Sequence, residues 1–179
     1  MSNKIYTFFI LTIFLLGSAF AQSYQSSITA EVVGLSSSTN YFGYIKPDKE
    51  FLGGAEISYS GQFRIGSDYH MGFRAGMLFT EFYYHGIHFG LLLRKQLNEE
   101  FFGILGLNSY LNYYGPSRTY SHKLLHYSVN IAAGIRLSDN LSTFISIEKS
   151  LDNIYGESSK SNFTKYLYWL FKLGLEYDL

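Results

Sequence analysis

The sequence of 179 residues has no cysteine, only two prolines and no excess charge of either sign. The absence of cysteine excludes a disulfide framework and thiolate metal sites. The balance of 14 basic and 14 acidic residues provides no basic field for nucleic acid, which is therefore not an expected partner. The scarcity of proline, together with 17 glycines, 17 tyrosines and 16 phenylalanines, is typical of a β-rich chain.

Long hydrophobic runs are also scarce, and the clearest one lies at the amino end. Lys4 precedes an apolar run over 5–16, and 19–21 (Ala-Phe-Ala) has the small-x-small pattern of a signal peptidase site. A run of about 12 residues is shorter than the roughly 20 needed to span a bilayer as a helix, which disfavours an uncleaved membrane anchor. We therefore predict a signal peptide over 1–21 and an exported domain over 22–179.

What the sequence does contain is long alternation of apolar and polar residues. The segment KYLYWLFKLGLEYDL (165–179) has an apolar residue at every second position from Leu167 to Leu179. Residues two apart in a strand share one face, so the segment is predicted to be a strand with one apolar side. Similar alternation predicts seven further strands, over about 25–38, 51–65, 69–80, 87–94, 101–113, 125–136 and 141–151.

The predicted connections alternate in length along the chain. Tight turns are expected at 66–68, 97–100 and 138–140, whereas the intervening links are the loops 38–50, 115–122 and 152–164 and a short link at 81–84. An even number of strands with tight turns at one end and longer loops at the other is typical of small outer-membrane barrels. In such a barrel the last strand pairs with the first.

Charge placement indicates which face of each strand meets lipid, since alternation alone also fits a soluble barrel or an exported β-sandwich. Charges on the polar face lie in mid-strand, as at Glu31 and Glu56, whereas charges on the apolar face, such as Lys95 and Lys149, lie near strand ends. A lysine or arginine facing lipid costs roughly 2–4 kcal/mol at mid-depth and little at the interface. The predicted fold class is therefore all-β, an eight-stranded antiparallel up-and-down transmembrane β-barrel.

The polar faces carry charged residues that are predicted to form a network in the lumen. They are Glu31, Glu56, Arg64, Arg74, Arg94, Arg136, Glu148, Lys172 and Glu176. Arg64, Arg94 and Arg136 each lie two or three residues before a predicted turn and would form a basic ring at that end. An eight-stranded barrel is only wide enough for its own side chains, so we expect a salt-bridged plug. The inward glycines and serines leave open the alternative of a narrow small-solute pore or a binding cavity.

The segment HYSVN (126–130) raises an enzymatic alternative. It loosely resembles the His-x-Ser-Asn signature of outer-membrane lipid A 3-O-deacylases, with Glu148 as a potential orienting acid. However, Val129 stands where the signature has asparagine, and the strand phase points His126 and Ser128 into the lumen. Glu148 is expected opposite the last residue of the segment, about 13 Å along the strand from His126, which is too far for a triad. We expect no catalytic residues, no metal site and no cofactor.

The carboxyl end and the overall layout resemble known outer-membrane proteins. In KLGLEYDL, the residues Lys172, Gly174, Tyr177 and Leu179 resemble the carboxyl-terminal assembly signal of these proteins, although the usual last residue is aromatic. The eight-stranded layout over 22–179 resembles the small outer-membrane β-barrel family that includes opacity and attachment-type, porin-like proteins. The resemblance implies a Gram-negative outer membrane, with lipid, lipopolysaccharide and the barrel assembly machinery as partners. It also implies a structural or adhesive role in which the outer loops contact an external ligand.

Overall fold

The computed structural model describes residues 24–41, 48–80, 85–112, 121–122, 125–151, 154–158 and 163–179. The predicted signal peptide lies outside them. The strands are β1 (Tyr24–Tyr41), β2 (Asp48–Arg64), β3 (Tyr69–Thr80), β4 (Gly86–Gln96), β5 (Phe101–Asn112), β6 (Ser121–His122), β7 (Leu125–Arg136), β8 (Leu141–Ser150), β9 (Ile154–Ser158) and β10 (Phe163–Asp178). Across the described ranges, no helix is long and apolar enough to cross a membrane.

Eight of these strands, all except the short β6 and β9, form a closed antiparallel barrel. Each pairs with its neighbour along the chain, and β1 pairs with β10 to close the wall, as predicted. Starting at Gly86 in β4, we followed the paired residues from strand to strand once around the barrel. The path returns to β4 at Gln96, ten residues from its start. This stagger of about 33 Å, over a combined strand width of about 38 Å, tilts the strands by about 40°, which lies within the range of transmembrane barrels. The predicted fold class is confirmed.

Three turns of equal length join the strands at one end of the barrel, which we call the turn end. They span 65–68, 97–100 and 137–140. In each, the N–H of the first turn residue donates to the carbonyl of the first residue of the next strand. The bonds run from Ile65 to Tyr69, from Leu97 to Phe101 and from Leu137 to Leu141, at 2.9, 2.9 and 2.8 Å. The predicted tight turns are therefore confirmed at all three places.

The opposite end, which we call the loop end, is taller on one side. β1, β2 and β10 have 18, 17 and 16 residues, whereas the other five wall strands have 10 to 12. β9 pairs with the start of β10, and β6 pairs with β9. We call this raised sheet, in the order β2-β1-β10-β9-β6, the loop-end extension. The predicted loops 38–50 and 152–164 were too long, because strands continue into both.

Burial alternates along the wall strands, and the apolar rows face outward. On β1, Val32 is 69% exposed, whereas Glu31 and Val33 on either side of it are 3% and 1% exposed. The outer wall likewise exposes large apolar side chains such as Ile131 and Ile145, each 65% exposed. An apolar outer wall around a polar interior is the polarity of a transmembrane barrel, so the predicted orientation of the rows is confirmed.

Leu167 departs from this pattern, and its predicted place on the outer stripe beside Trp169 is wrong. It is 1% exposed and faces the lumen. On β1, Ser36 pairs with Trp169 and Ser37 with Leu167, so Tyr168 is the extra residue of a β-bulge. A bulge residue reverses the alternation of the strand beyond it, which turns Leu167 inward.

The interior also contains apolar side chains, in two clusters. The cluster nearer the loop end comprises Val33, Leu35, Leu52, Leu78, Tyr110, Leu167 and Leu170. The cluster nearer the turn end comprises Leu92, Phe102, Ile104, Ala132 and Phe144. Glycines opposite the rings make room for them: a Cβ at Gly134 would lie 2.2 Å from Phe102 Cζ, and one at Gly174 would lie 2.4 Å from Phe144 Cζ. The interior therefore contains buried apolar side chains as well as charged groups.

Candidate functional site

Lys172 on β10 lies at the centre of a buried charge cluster in the middle of the lumen. Its Nζ is 2.8 Å from Glu56 Oε2 and 3.0 Å from Glu148 Oε2, and it donates to the Tyr110 hydroxyl at 2.9 Å. Tyr110 in turn donates to Glu148 Oε2 at 2.9 Å, and Ser128 Oγ donates to Oε1 of the same carboxylate. Three donors on Lys172 thus meet three acceptors, which is the arrangement a buried ammonium group requires.

Two further contacts complete this cluster. Arg74 Nη1 lies 3.4 Å from Glu31 Oε1, and His88 Nδ1 lies 3.1 Å from Glu56 Oε1. Glu31 and Glu56 are directly opposite each other in the β1–β2 pairing. Because three carboxylates face only two permanent cations, the cluster carries one excess negative charge unless a carboxyl group or His88 holds an additional proton. An uncompensated charge is very costly in a buried site.

A second buried ion pair lies nearer the turn end. Arg94 Nη1 is 2.8 Å from Glu176 Oε1, which also accepts a hydrogen bond from Ser27 Oγ at 3.1 Å. The guanidinium group of Arg94 lies over the Phe102 ring, 3.6 Å from its centroid. This pair is balanced in charge and anchored by a cation–π contact.

The last two predicted network residues, Arg64 and Arg136, lie at the mouth of the barrel and not inside it. Both side chains are exposed at the turn end. Arg64 donates from Nε to the carbonyl of Gly66 at 3.0 Å and from Nη2 to the carbonyl of Ser67 at 2.7 Å. The structure therefore divides the nine predicted residues into seven that are buried in the lumen and two at its mouth.

Four contributors to the network were absent from the predicted network residues. His88, Tyr110, Ser27 and Ser128 are at most 2% exposed and contact its carboxylates. Their positions share the inward phase of predicted network residues or inward glycines on the same strands, so strict alternation could have found them. Their side chains are small or aromatic and carry no permanent charge, whereas the predicted network was chosen from charged residues.

The HYSVN segment places Ser128 in direct contact with Glu148 in the lumen. Asn130 lies opposite Glu148 in the β7–β8 pairing, as predicted. Ser128 donates directly to Glu148, and the centroid of the His126 ring lies 6.5 Å from that of the Tyr110 ring. Over the described residues, no group of three or more His, Asp or Glu side chains could hold a metal ion.

The four predicted assembly-signal residues occupy two different environments. Lys172 and Gly174 face the lumen, where the first bridges carboxylates and the second leaves space for Phe144. Tyr177 and Leu179 lie on the outer wall at the turn end and are 52% and 66% exposed. Lys172 and Gly174 thus have structural roles of their own, and the role of the four residues in assembly stays a prediction.

Comparisons with known proteins agree with this architecture. No protein-family model matches the sequence, and no curated protein matches it. A de novo designed transmembrane β-barrel has a TM-score of 0.50 at 10% identity, over 86% of this chain and 95% of that one. The N-terminal β-barrel domain of Pseudomonas aeruginosa OprF has a TM-score of 0.46 at 14% identity, over 87% and 99%. Ail, the attachment invasion locus protein of Yersinia pestis, has a TM-score of 0.45 at 14% identity, over 88% and 99%.

At these identities the similarity concerns the fold alone. The chain forms a closed barrel with an apolar outer wall and a charged interior, and its backbone is similar to that of the designed transmembrane barrel. It therefore has the fold of a small transmembrane β-barrel, as its sequence indicated.

Proposed function

We propose that this protein resides in the outer membrane, exported by the signal peptide over 1–21, and that its barrel is an anchor closed to solutes. The observation that carries the proposal is the burial of side chains in the middle of the lumen. Leu170 and Glu148 are 0% exposed, and Leu167 is 1% exposed. A barrel of eight strands encloses little more than its own side chains. The protein therefore has a non-catalytic role that depends on its ends and not on transport.

The order of groups along the lumen supports closure. An apolar cluster lies nearest the loop end, followed by the charge cluster around Lys172 and then by the apolar cluster with the Arg94–Glu176 pair. An ion crossing the barrel would have to separate Lys172 from two carboxylates at 2.8 and 3.0 Å, in a site where all three side chains are buried. Such a barrier is incompatible with steady conduction.

The loop-end extension supports a role in surface interaction. In this extension β1, β2 and β10 rise above the other wall strands, and β9 and β6 widen the raised sheet. Faces and edges of sheets are common docking surfaces for peptide segments of other proteins. The predicted outer loops 38–50, 115–122 and 152–164 all connect to this sheet or to its neighbours. We propose that the extension and these loops contact an external ligand, as in an adhesive protein.

A lipopolysaccharide contact is proposed on the outer wall just below the loop end. Lys149 and Trp169 are paired across β8 and β10, and Lys149 Nζ lies 4.4 Å from the centroid of the Trp169 ring. Tryptophan is enriched at membrane interfaces, and lysine extends its ammonium group toward headgroups. The ammonium group can then meet a lipid phosphate. At the opposite end, the carboxyl-terminal segment would be recognised by the barrel assembly machinery.

Planar-bilayer recording tests the closed lumen. The folded full chain, verified by its altered migration in unheated electrophoresis, is expected to give no steady single-channel openings. A porin of known conductance, recorded in the same bilayers, serves as the positive control. Steady openings of the unaltered protein would contradict the proposal and favour a narrow pore.

Adherence of bacteria that display the protein tests the surface role. Replacing 154–162 with a short glycine–serine linker removes β9 from the extension, and adherence to cultured epithelial cells is expected to fall to the level of bacteria without the protein. A matched control replaces the turn 97–100 at the other end and is expected to leave adherence unchanged. Equal adherence of all strains would refute the adhesive role.

A further inference from the structure

A polar cavity of about 500 Å³ opens at the turn end of the barrel. We call it the turn-end cavity. Its lining includes Arg64, Arg94, Arg136, His70, Gln25 and Gln96. Its volume falls within the range of small-molecule sites, about 300–1,000 Å³. The filled lumen above makes it a pocket with one entrance and not the start of a channel.

The three arginines of this cavity come from three different hairpins. Arg64 ends β2, Arg94 lies near the end of β4, and Arg136 ends β7. Each therefore approaches the cavity from a separate part of the wall, because the strands are arranged around the barrel axis. Guanidinium groups converging from several directions suit a carboxylate or phosphate, whose oxygens accept paired hydrogen bonds.

Two of the arginines retain free hydrogen-bonding capacity. Arg94 is paired with Glu176, whereas neither Arg64 nor Arg136 has a carboxylate within ion-pair distance among the described residues. Arg64 uses Nε and Nη2 for the carbonyls of its own turn, and its Nη1 is not used there. The guanidinium groups of Arg64 and Arg136 therefore have N–H donors in the cavity that are free to bind a ligand.

Acidic residues also line the cavity, but they belong to the turns. Asp68, Glu99 and Asp139 all lie in the three tight turns, where Asp and neighbouring polar residues are favoured for local backbone reasons.

We propose that the turn-end cavity is a binding site for a small oxyanionic solute that carries carboxylate or phosphate groups. Arg64 and Arg136 bind the anion, and Arg94 contributes while held by Glu176. In the orientation proposed above, this site faces the periplasm. The site is independent of the loop-end role, since it lies at the opposite end of the barrel and shares no residue with it.

Calorimetric titration of the folded full chain in detergent micelles tests the site, with inorganic phosphate and citrate as the probes. Saturable binding of at least one probe is expected below about 10 mM. Arg136→Gln and Arg64→Gln are each expected to weaken binding at least about ten-fold, a loss of roughly 1.4 kcal/mol. Binding of phosphate alone would indicate a phosphorylated solute, and binding of citrate alone a polycarboxylate.

Lys95→Gln is the matched control for this titration. Lys95 lies two residues before the turn 97–100, but its side chain is exposed on the outer wall with Nζ 5.4 Å from the Tyr69 ring. The substitution removes the same charge at the same end of the barrel and is expected to change affinity less than two-fold. An equal loss in Lys95→Gln and Arg136→Gln would overturn the proposal, because it would show attraction to net charge without a built site.

The imidazole of His70 provides a second measurement. A bound anion places negative charge beside it, so NMR titration is expected to show a higher pKa for His70 in the presence of the bound probe. In Arg136→Gln the probe is expected to raise this pKa much less. The proposal would be overturned if neither probe binds saturably, or if binding leaves the pKa of His70 unchanged. Arg64→Gln and Arg136→Gln both alter exposed side chains, and unheated electrophoresis verifies that the two variants fold.

Discussion

The charge cluster around Lys172 and the turn-end cavity use similar residues in opposite ways. In the cluster, Lys172 is 4% exposed and lies within 3.0 Å of two carboxylates. In the cavity, Arg64 and Arg136 are exposed, and Arg64 bonds to backbone carbonyls instead of carboxylates. Both regions lie on the same inward-facing rows of the same barrel. Their depth along the barrel axis is what differs.

The difference shows that burial, and not sequence pattern, dictates whether a charge is compensated. A buried ion without a partner costs several kcal/mol, so the cluster binds each cation to at least one carboxylate. Near water the same cost disappears, and an arginine can remain unpaired for a ligand. We therefore expect substitutions to have large effects in the cluster and small effects at the mouth.

The largest effect is expected for Lys172→Met. It leaves Glu56 and Glu148 buried without their shared cation, and breaking such a pair typically costs about 3–5 kcal/mol. The free energy of unfolding, measured by urea denaturation in lipid vesicles, is expected to fall by this amount. Adding Glu148→Gln is expected to recover part of the loss, because it restores the original net charge of the cluster.

Lys149→Met is the matched control for this substitution. Lys149 is on the adjacent strand but on the outer wall, where it contacts the Trp169 ring. Removing an exposed cation–π contact is expected to cost less than about 1 kcal/mol. Comparable losses for Lys149→Met and Lys172→Met would show that the two faces do not differ as the structure indicates.

A smaller effect is expected for Gly174→Ala between the two regions. The new Cβ would lie 2.4 Å from Phe144 Cζ, and overpacking of this kind costs about 1–3 kcal/mol. The additional substitution Phe144→Leu is expected to restore the free energy of unfolding. Gly53→Ala is the control, because a Cβ there has no atom within 4 Å. If Phe144→Leu restores stability but insertion into the outer membrane remains poor, Gly174 also acts in the predicted assembly signal.

At the mouth, Arg136→Gln is expected to change the free energy of unfolding by less than about 0.5 kcal/mol. The side chain is exposed and has no ion pair among the described residues, and such surface substitutions have small effects. Urea denaturation beside Lys172→Met provides the direct comparison. A loss as large as that of Lys172→Met would mean that the mouth is as tightly packed as the lumen.

Local patterns were sufficient to predict the eight wall strands, the tight turns and the orientation of the wall. The placement of charges such as Glu31 and Glu56 in mid-strand predicted which face meets lipid, and counting from the predicted turn 138–140 placed Asn130 opposite Glu148. These features depend on a period of two residues and on short-range hydrogen bonds, both of which are visible in a single strand or hairpin. The short turns also left little freedom in register.

The bulge at Tyr168 could not be predicted in this way. The segment 165–179 alternates without interruption, and only the pairing of β10 with β1 shows that one residue is left over. The inward turn of Leu167 follows from that pairing and not from the residues of β10 themselves. A bulge is a property of two strands, so the sequence of one strand does not contain it.

The sequence by itself determined an inside-out barrel of eight strands, because each alternating row must place its apolar side chains on one surface. The tertiary structure alone decided that Lys172 joins Glu56 to Glu148 and that Arg64 and Arg136 remain at the mouth. These outcomes depend on the stagger of the closed wall, which brings residues from distant strands to the same depth. The stagger is a condition on all eight strands together, and no local pattern carries it.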